Sequence, residues 1–385
     1  LDYHELKYND AIVLLERKPD IENVYVELTN SCNFNCEMCF RQSWQDKLGM
    51  MSYEDYMKLL EQFADFPNLK KVIFEGIGEP LLHPRFLDIV KATRKAGYDV
   101  IVGTNGYLMN EKIIKGLIEN LVEWVIVSID AVDLDAFENI RNADLSTIIQ
   151  NIQKLNEMKK KYSSLFPKLG AEFVIMKSNY KELPKLPAFL EKLNVIWIML
   201  SNVIPTREIF INEAVYHNMP EDFNEYFEKF KTEAALRRFP YQLPKFELNT
   251  ERKCDFIETK STVIRWDGEV APCYRFLHTY KEYIFGREKQ VYAYSFGNVK
   301  EESLIDIWTG RDYTEFRWKV KNAIYPSCTD CPLRDVCELT KDTIVDCWGM
   351  EPSCADCLWS RRIAMCPNSD ILDPQALYLF QMTNK

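Results

Sequence analysis

An α/β fold built on a parallel sheet and followed by a cysteine-rich domain is predicted for this chain by three observations. Short apolar, mostly β-branched runs alternate with helical periodicity through the first half. Cysteines are absent from 40 to 253 and dense on either side of that gap. At 385 residues the chain exceeds the size that one core usually serves.

The strands are expected at 24–28, 71–75, 99–103, 124–129, 171–176 and 195–200. Helical periodicity lies between them, at 53–63, 84–95, 110–120, 133–139 with 145–161, and 180–193. Strands that alternate with helices in this way form parallel sheets with right-handed crossovers. The alternation is lost after about residue 201, where a helical stretch at 222–237 precedes a proline-containing segment. The expected organisation is therefore an extension at 1–20, the strand–helix unit at 21–215, a bridge at 216–250 and the cysteine-rich domain at 251–385. No internal repeat or low-complexity tract stands out.

Composition narrows the function. A net charge of −10 without a basic cluster argues against a nucleic-acid surface. No apolar run approaches the ~18–20 residues of a membrane span, and Leu1-Asp-Tyr-His-Glu-Leu-Lys lacks a signal-peptide core. Both predict a cytoplasmic protein. Twelve cysteines with only four histidines then favour thiolate clusters over a disulfide framework.

The sharpest motif follows the first strand: Cys32-Asn-Phe-Asn-Cys36-Glu-Met-Cys39. Three thiolates at this spacing suit three corners of a [4Fe–4S] cubane and leave the fourth iron open. A closed electron-transfer cluster takes four protein thiolates, and structural zinc wants four N/S ligands. No histidine or further cysteine follows within a dozen residues.

This loop, with Phe40 beside its last cysteine, resembles the radical SAM enzymes. The resemblance implies a partial (β/α)6 barrel over roughly 20–215, with S-adenosylmethionine (SAM) chelating the open iron. It also implies reductive cleavage of SAM to a 5′-deoxyadenosyl radical that abstracts hydrogen from a substrate. The cofactors carry the hard chemistry and the protein positions them. Sites of such barrels gather at the C-terminal strand ends.

The remaining motifs fall there. Phe74-Glu-Gly76-Ile-Gly78-Glu79-Pro80 looks like the family's Gly-Gly-Glu-Pro motif with an isoleucine inserted. Its glycines allow close backbone approach, and the resemblance makes Glu79 the partner of the SAM ammonium. It lacks the third glycine of a dinucleotide fingerprint. Asn105, in Thr104-Asn105-Gly106, is either a ligand contact or a plain turn. Ser128 and Asp130 match the family's ribose position. Arg141 matches the arginine that meets the SAM carboxylate, and also suits a solvated surface.

Nine cysteines remain: Cys254, Cys273, Cys328, Cys331, Cys337, Cys347, Cys354, Cys357 and Cys366. The run from Cys254 through Gly268 and Cys273 to Cys328-x2-Cys331-x5-Cys337 resembles the SPASM extension, which carries two auxiliary iron–sulfur clusters. The chain departs next, with Lys341 where the pattern has a cysteine and Cys347 as the nearest thiol. Two four-ligand clusters leave one of the nine spare. Zinc knuckles fit this odd count poorly. Tyr274 and Arg275, beside Cys273, are candidate catalytic side chains. Tyr274 stands where sulfatase-maturing relatives carry a basic aspartate, and its ordinary pKa near ~10 makes it a poor base. The catalytic base is unassigned.

Cys39-Phe-Arg-Gln-Ser-Trp44, the inserted isoleucine and the tail Cys354-Ala-Asp-Cys357-Leu-Trp-Ser look like the maturases associated with tungstopterin aldehyde:ferredoxin oxidoreductases. The expected substrate is such an oxidoreductase, its cofactor or a peptide, with ferredoxin or flavodoxin as electron donor. Two alternatives are a peptide-crosslinking SPASM maturase and a non-catalytic electron carrier; the SAM-site residues count against the carrier.

Overall fold

The computed structural model describes residues 2–44 and 46–367, so the end of the expected 251–385 domain lies outside the described residues. A hairpin opens the chain, β1 (Tyr3–Tyr8) against β2 (Ala11–Glu16). Sequence reading left this segment as an extension. Its signal was Asn9-Asp10 between two β-rich runs, and Asn9 has the positive φ of such a turn. The hairpin docks on the C-terminal part through His4 Nε2 to the Thr309 carbonyl at 2.8 Å and Tyr8 edge-on to Trp318.

The six expected strands all form: β3 (Asn23–Val26), β4 (Lys71–Phe74), β5 (Asp99–Thr104), β6 (Trp124–Ser128), β7 (Lys168–Ile175) and β8 (Trp197–Asn202). They are parallel sequential neighbours. The connecting helices are α1 (Tyr53–Gln62), α2 (Phe86–Lys95), α3 (Glu111–Glu119), α4 (Leu134–Arg141), α5 (Leu145–Lys161) and α6 (Leu186–Lys192). Side-chain caps start several of them: Ser52 accepts from Asp55 N, Asn110 from Ile113 N and Asp133 from Ala136 N. The helix expected over 180–193 splits. A 3-10 segment, Tyr180–Lys185, precedes α6, because Pro184 and Pro187 withhold amide donors.

The sheet is wider than expected. Beyond α7 (Phe223–Leu236), β9 (Tyr241–Gln242) in the expected bridge pairs with β8. After α8 (Asp255–Glu258), the cysteine-rich part contributes β10 (Ser261–Ile264), parallel to β3, and β11 (Val270–Ala271). The resulting nine-stranded sheet runs β11-β10-β3-β4-β5-β6-β7-β8-β9, and its ends do not pair, so the barrel is open. One face turns Tyr25, Ile73, Ile101, Ile126 and Met199 into a shared core with Phe256, Tyr274 and Leu277 of the C-terminal part. A second hairpin, β12 (Tyr280–Ile284) with β13 (Arg287–Val291), and helices α9 (Leu304–Thr309) and α10 (Arg311–Lys321) follow. Among the described residues no helix is long and apolar enough to cross a membrane.

Candidate active site

The cysteine loop leaves β3 through two buried anchors. The Thr29 hydroxyl donates to the Gly49 carbonyl at 2.6 Å, while Asn30 donates to Lys47 O and accepts from Gly49 N. These bonds close the loop at its base. Within it, Arg41 donates to the Phe34 carbonyl at 3.2 Å and Gln42 to the Cys36 carbonyl at 3.1 Å. Cys32, Cys36 and Cys39 consequently line one cavity of about 200 Å³.

The same cavity is lined by Phe40, Gly76, Gly78, Glu79, Asn105, Ser128 and Arg141, so the structure brings most of the expected site together. Gly78 is required by contact: a Cβ there would lie 2.0 Å from the Thr29 carbonyl oxygen. The inserted Ile77 is accommodated because its amide donates to Glu27 Oε1 at 3.2 Å. Asn105 is more than a turn residue, since its Nδ2 reaches Cys32 Sγ at 3.7 Å and Asn33 Oδ1 at 2.9 Å.

Glu79 is buried. Its carboxylate accepts from Thr104 Oγ1 and Asn105 N at 2.8 Å and from Leu81 N at 3.0 Å. Burial raises its pKa to about 7, against the pull of those three donors. The carboxylate therefore also holds the strand-end turns in place.

Asp130 sits behind the cavity wall. It is fully buried, does not line either cavity, and spends its oxygens on Arg141 at 2.5 Å and Val174 N at 2.7 Å. Inside the sheet an unpaired carboxylate is costly, so it serves as the counter-ion that fixes Arg141. Arg141 in turn sets Nη1 3.8 Å from Cys36 Sγ. It is thus a half-buried wall residue and not a solvated surface arginine. Ser128 remains at the cavity wall.

A second cavity of about 250 Å³ shares Cys36, Cys39, Phe40, Glu75, Gly76, Ile77, Arg141 and Glu172 with the first. It reaches toward β8 and the C-terminal tail, where Met199, Ser201, Tyr274, Trp359 and Met365 line it. Glu75 and Glu172 were missed by sequence reading. Their signal was present: Glu75 directly follows the C-terminal end of β4, and Glu172 is the one acid within β7.

Arg275 departs from expectation. It is buried in ion pairs with Glu282 at 2.5 Å and Asp356 at 3.2 Å and does not line the barrel cavity. Tyr274 does line it. His278, likewise missed, bridges Asp46 at 2.7 Å and Glu27 at 2.9 Å and packs beside Trp44. Burial disfavours the imidazolium, but Glu27 and Asp46 more than offset this and raise its pKa. Trp44 is accordingly a packing residue here.

The three loop thiols fit a cluster. Among the described residues no three thiol, carboxyl or imidazole groups converge tightly enough for a single metal ion, whereas cubane ligands stand on separate corners. Burial pushes the Cys39 thiol up to about 11 and raises Cys32 and Cys36. Thiolates there need nearby positive charge, which iron would supply.

The C-terminal thiols fall into two sets. Cys254, Cys273, Cys357 and Cys366 line a small pocket, and buried Cys354 interacts with the first three of them. Cys347 interacts with Cys328, Cys331 and Cys337, which relates the other four thiols through it.

The family model for the Radical SAM superfamily matches residues 26–170, and the iron–sulfur cluster-binding SPASM domain matches 254–332. A Pyrococcus furiosus protein described as a tungsten-containing aldehyde ferredoxin oxidoreductase cofactor-modifying protein is 48% identical over 352 residues. That match covers 89% of this chain and 96% of the relative. The chain belongs to the radical SAM superfamily. Solved radical SAM structures share the fold. Streptococcus suis SuiB aligns with TM-score 0.60 at 15% identity, covering 85% of this chain and 73% of that one. Peptide-bound anSMEcpe aligns at 0.57 and 16%, covering 95% of each. As a radical SAM enzyme the chain uses SAM and a [4Fe–4S] cluster, and its SPASM domain binds iron–sulfur clusters.

Proposed function

We propose that this enzyme matures the tungstopterin cofactor of an aldehyde:ferredoxin-type oxidoreductase. The observation that carries this reading is the 48% identity, over nearly the whole length of both chains, to the cofactor-modifying protein of Pyrococcus furiosus. Comparing the mass of the tungsten cofactor from cells with and without this chain tests it. A mass difference is expected. An unchanged cofactor alongside an altered peptide would transfer the enzyme to the peptide-maturing class.

Cys32, Cys36 and Cys39 would hold the open cluster. When bound, cluster and SAM together supply one-electron cleavage of the sulfonium and a hydrogen-abstracting 5′-deoxyadenosyl radical. The protein's part is placement. Glu79 would receive the SAM ammonium, Arg141 its carboxylate and Ser128 a ribose hydroxyl, while Phe40, Gly76 and Gly78 shape the wall. Asp130 acts one step back by orienting Arg141. The enclosing apolar side chains keep water from the reacting centre. A cytoplasmic ferredoxin or flavodoxin would supply the electron.

Glu79→Gln should weaken SAM binding by about 1.5–3 kcal/mol, the scale of a charge-assisted hydrogen bond. Cluster content should stay unchanged. The amide would also face donors at Thr104 and Asn105 that need an acceptor. The sign with pH follows from the raised carboxyl. The folded chain keeps this proton up to about 7, whereas the unfolded chain releases it near ~4.3. SAM-free stability from this group therefore falls as pH rises between those values. SAM binding, which needs the ionised form, strengthens over the same rise. Calorimetry at several pH values checks both, and a flat, unaltered affinity would return Glu79 to a turn-holding role.

The two C-terminal thiol sets would hold two auxiliary [4Fe–4S] clusters. Cys328, Cys331, Cys337 and Cys347 suffice for one. The other would draw four ligands from Cys254, Cys273, Cys354, Cys357 and Cys366, and the spare thiol would then belong to that group. Cys273→Ala should still yield 5′-deoxyadenosine, uncoupled from modification of the true substrate. Full product yield would make that cluster dispensable, and loss of 5′-deoxyadenosine with the first cluster intact would put it on the electron path.

A further inference from the structure

Three barrel strands lead to an inward-facing acid. Glu27, Glu75 and Glu172 each follow by two positions a residue of the barrel's inner face: Tyr25, Ile73 and Gly170. Glu27 is committed to Ile77 N and His278. Glu75 and Glu172 make no ion pair among the described residues, yet both line the cavity beside the cysteine loop.

The fold makes room for them. Gly103, beside Glu75 on β5, would place a Cβ 2.8 Å from the Glu75 Cδ, so only glycine leaves that carboxyl its position. Glu172 lies in register with Ser128 on one side and Met199 on the other. Tyr274 completes the group. It is only 9% exposed, its hydroxyl lies close enough to Glu75 to lower that carboxyl, and it makes no short hydrogen bond among the described residues. A hydroxyl held this loosely is free to donate to a ligand in the cavity.

We propose that Glu75 and Glu172, with the Tyr274 hydroxyl, form a substrate subsite that takes the aminopyrimidinone edge of a pterin. The proposal rests on the tungstopterin reading above. That edge offers two adjacent N–H donors and a carbonyl acceptor, while the pair offers acceptor oxygens and Tyr274 a donor. Burial raises both carboxyls, with repulsion from Glu172 adding to it at Glu75 and Asp130 adding to it against Arg141 at Glu172, which reaches about 7, so near neutrality the pair retains a proton. It then presents donor and acceptor together, which suits a neutral heterocycle better than a guanidinium. Phe40, Met199 and Trp359 supply apolar walls for the ring faces.

Equilibrium dialysis of the reconstituted, SAM-loaded full chain against pterin and lumazine tests this, because lumazine lacks the 2-amino group. Pterin should bind about 10- to 100-fold more tightly, the value of one hydrogen bond to a charged group. Glu75→Gln and Glu172→Gln should each erase that preference, with iron content reporting whether the variants fold. Equal binding of the two heterocycles by the unmutated chain, which needs no variant, overturns the subsite. Binding of N-acetylarginine amide in place of pterin also overturns it. Pterin preference in a chain whose loss leaves the tungsten cofactor mass unchanged would support the subsite and sink the maturation reading. No preference, with an altered cofactor mass, would sink the subsite alone.

Discussion

Alanine at Cys32, Cys36 and Cys39 together is expected to abolish SAM cleavage and to remove about one third of the iron, as loss of one of three four-iron clusters requires. The three thiols share one cavity with Glu79, Ser128 and Arg141, and four of the C-terminal thiols line a separate pocket. The auxiliary sites should therefore fill normally in the triple variant. Iron analysis after anaerobic reconstitution, with chromatographic assay of 5′-deoxyadenosine, measures both effects. Unimpaired SAM cleavage by the triple variant would overturn the assignment of the open site.

Asp356→Ala should cost about 3–5 kcal/mol of stability, the range for breaking a buried ion pair by removing one partner. Asp356 is fully buried and pairs with Arg287 at 2.8 Å and with Arg275 and Lys289 at 3.2 Å. Burial raises its carboxyl, but Lys289, Arg275 and Arg287 more than offset this and hold it down to about 2. Among the described residues only Arg275 has a second carboxylate, Glu282, so removing Asp356 strands the Lys289 charge in the interior. Asp356 also lies between Cys354 and Cys357, and the variant should lose iron from that thiol set as well. Denaturant unfolding followed by tryptophan fluorescence gives the comparison. A loss below about 1 kcal/mol, the worth of a surface pair, would mean that water reaches these cations.

How far the site was legible depended on whether each feature is local in sequence. The cysteine loop carries its spacing within eight residues, and the glycine turn must bring backbone against backbone, as Gly78 against the Thr29 carbonyl shows. Both constraints act over a few residues and leave a pattern. Asp130 and Arg275 read as ligand-facing in the sequence because charge alone does not reveal a partner. Arg141 lies eleven residues from Asp130, and Asp356 eighty-one from Arg275. Either charge could have faced a ligand until folding supplied its counter-ion. Glu75 and Glu172 were overlooked for a related reason. A single acid in an apolar strand looks like a break in pattern until the register sets both on one cavity.

The sequence by itself determined the strand–helix alternation, the cubane-type loop and the two-ended distribution of thiols. These follow from periodicity, backbone sterics and ligand spacing, which act along the chain. Only the tertiary structure decided that β10 would extend the barrel sheet beside β3, that the N-terminal hairpin would dock on the C-terminal part, and that Cys254, Cys273, Cys357 and Cys366 would meet at one pocket. Each of these depends on which distant surfaces bury one another. Ser261 pairs with Asn23 across more than two hundred residues, and burial of apolar area is non-directional and blind to sequence separation.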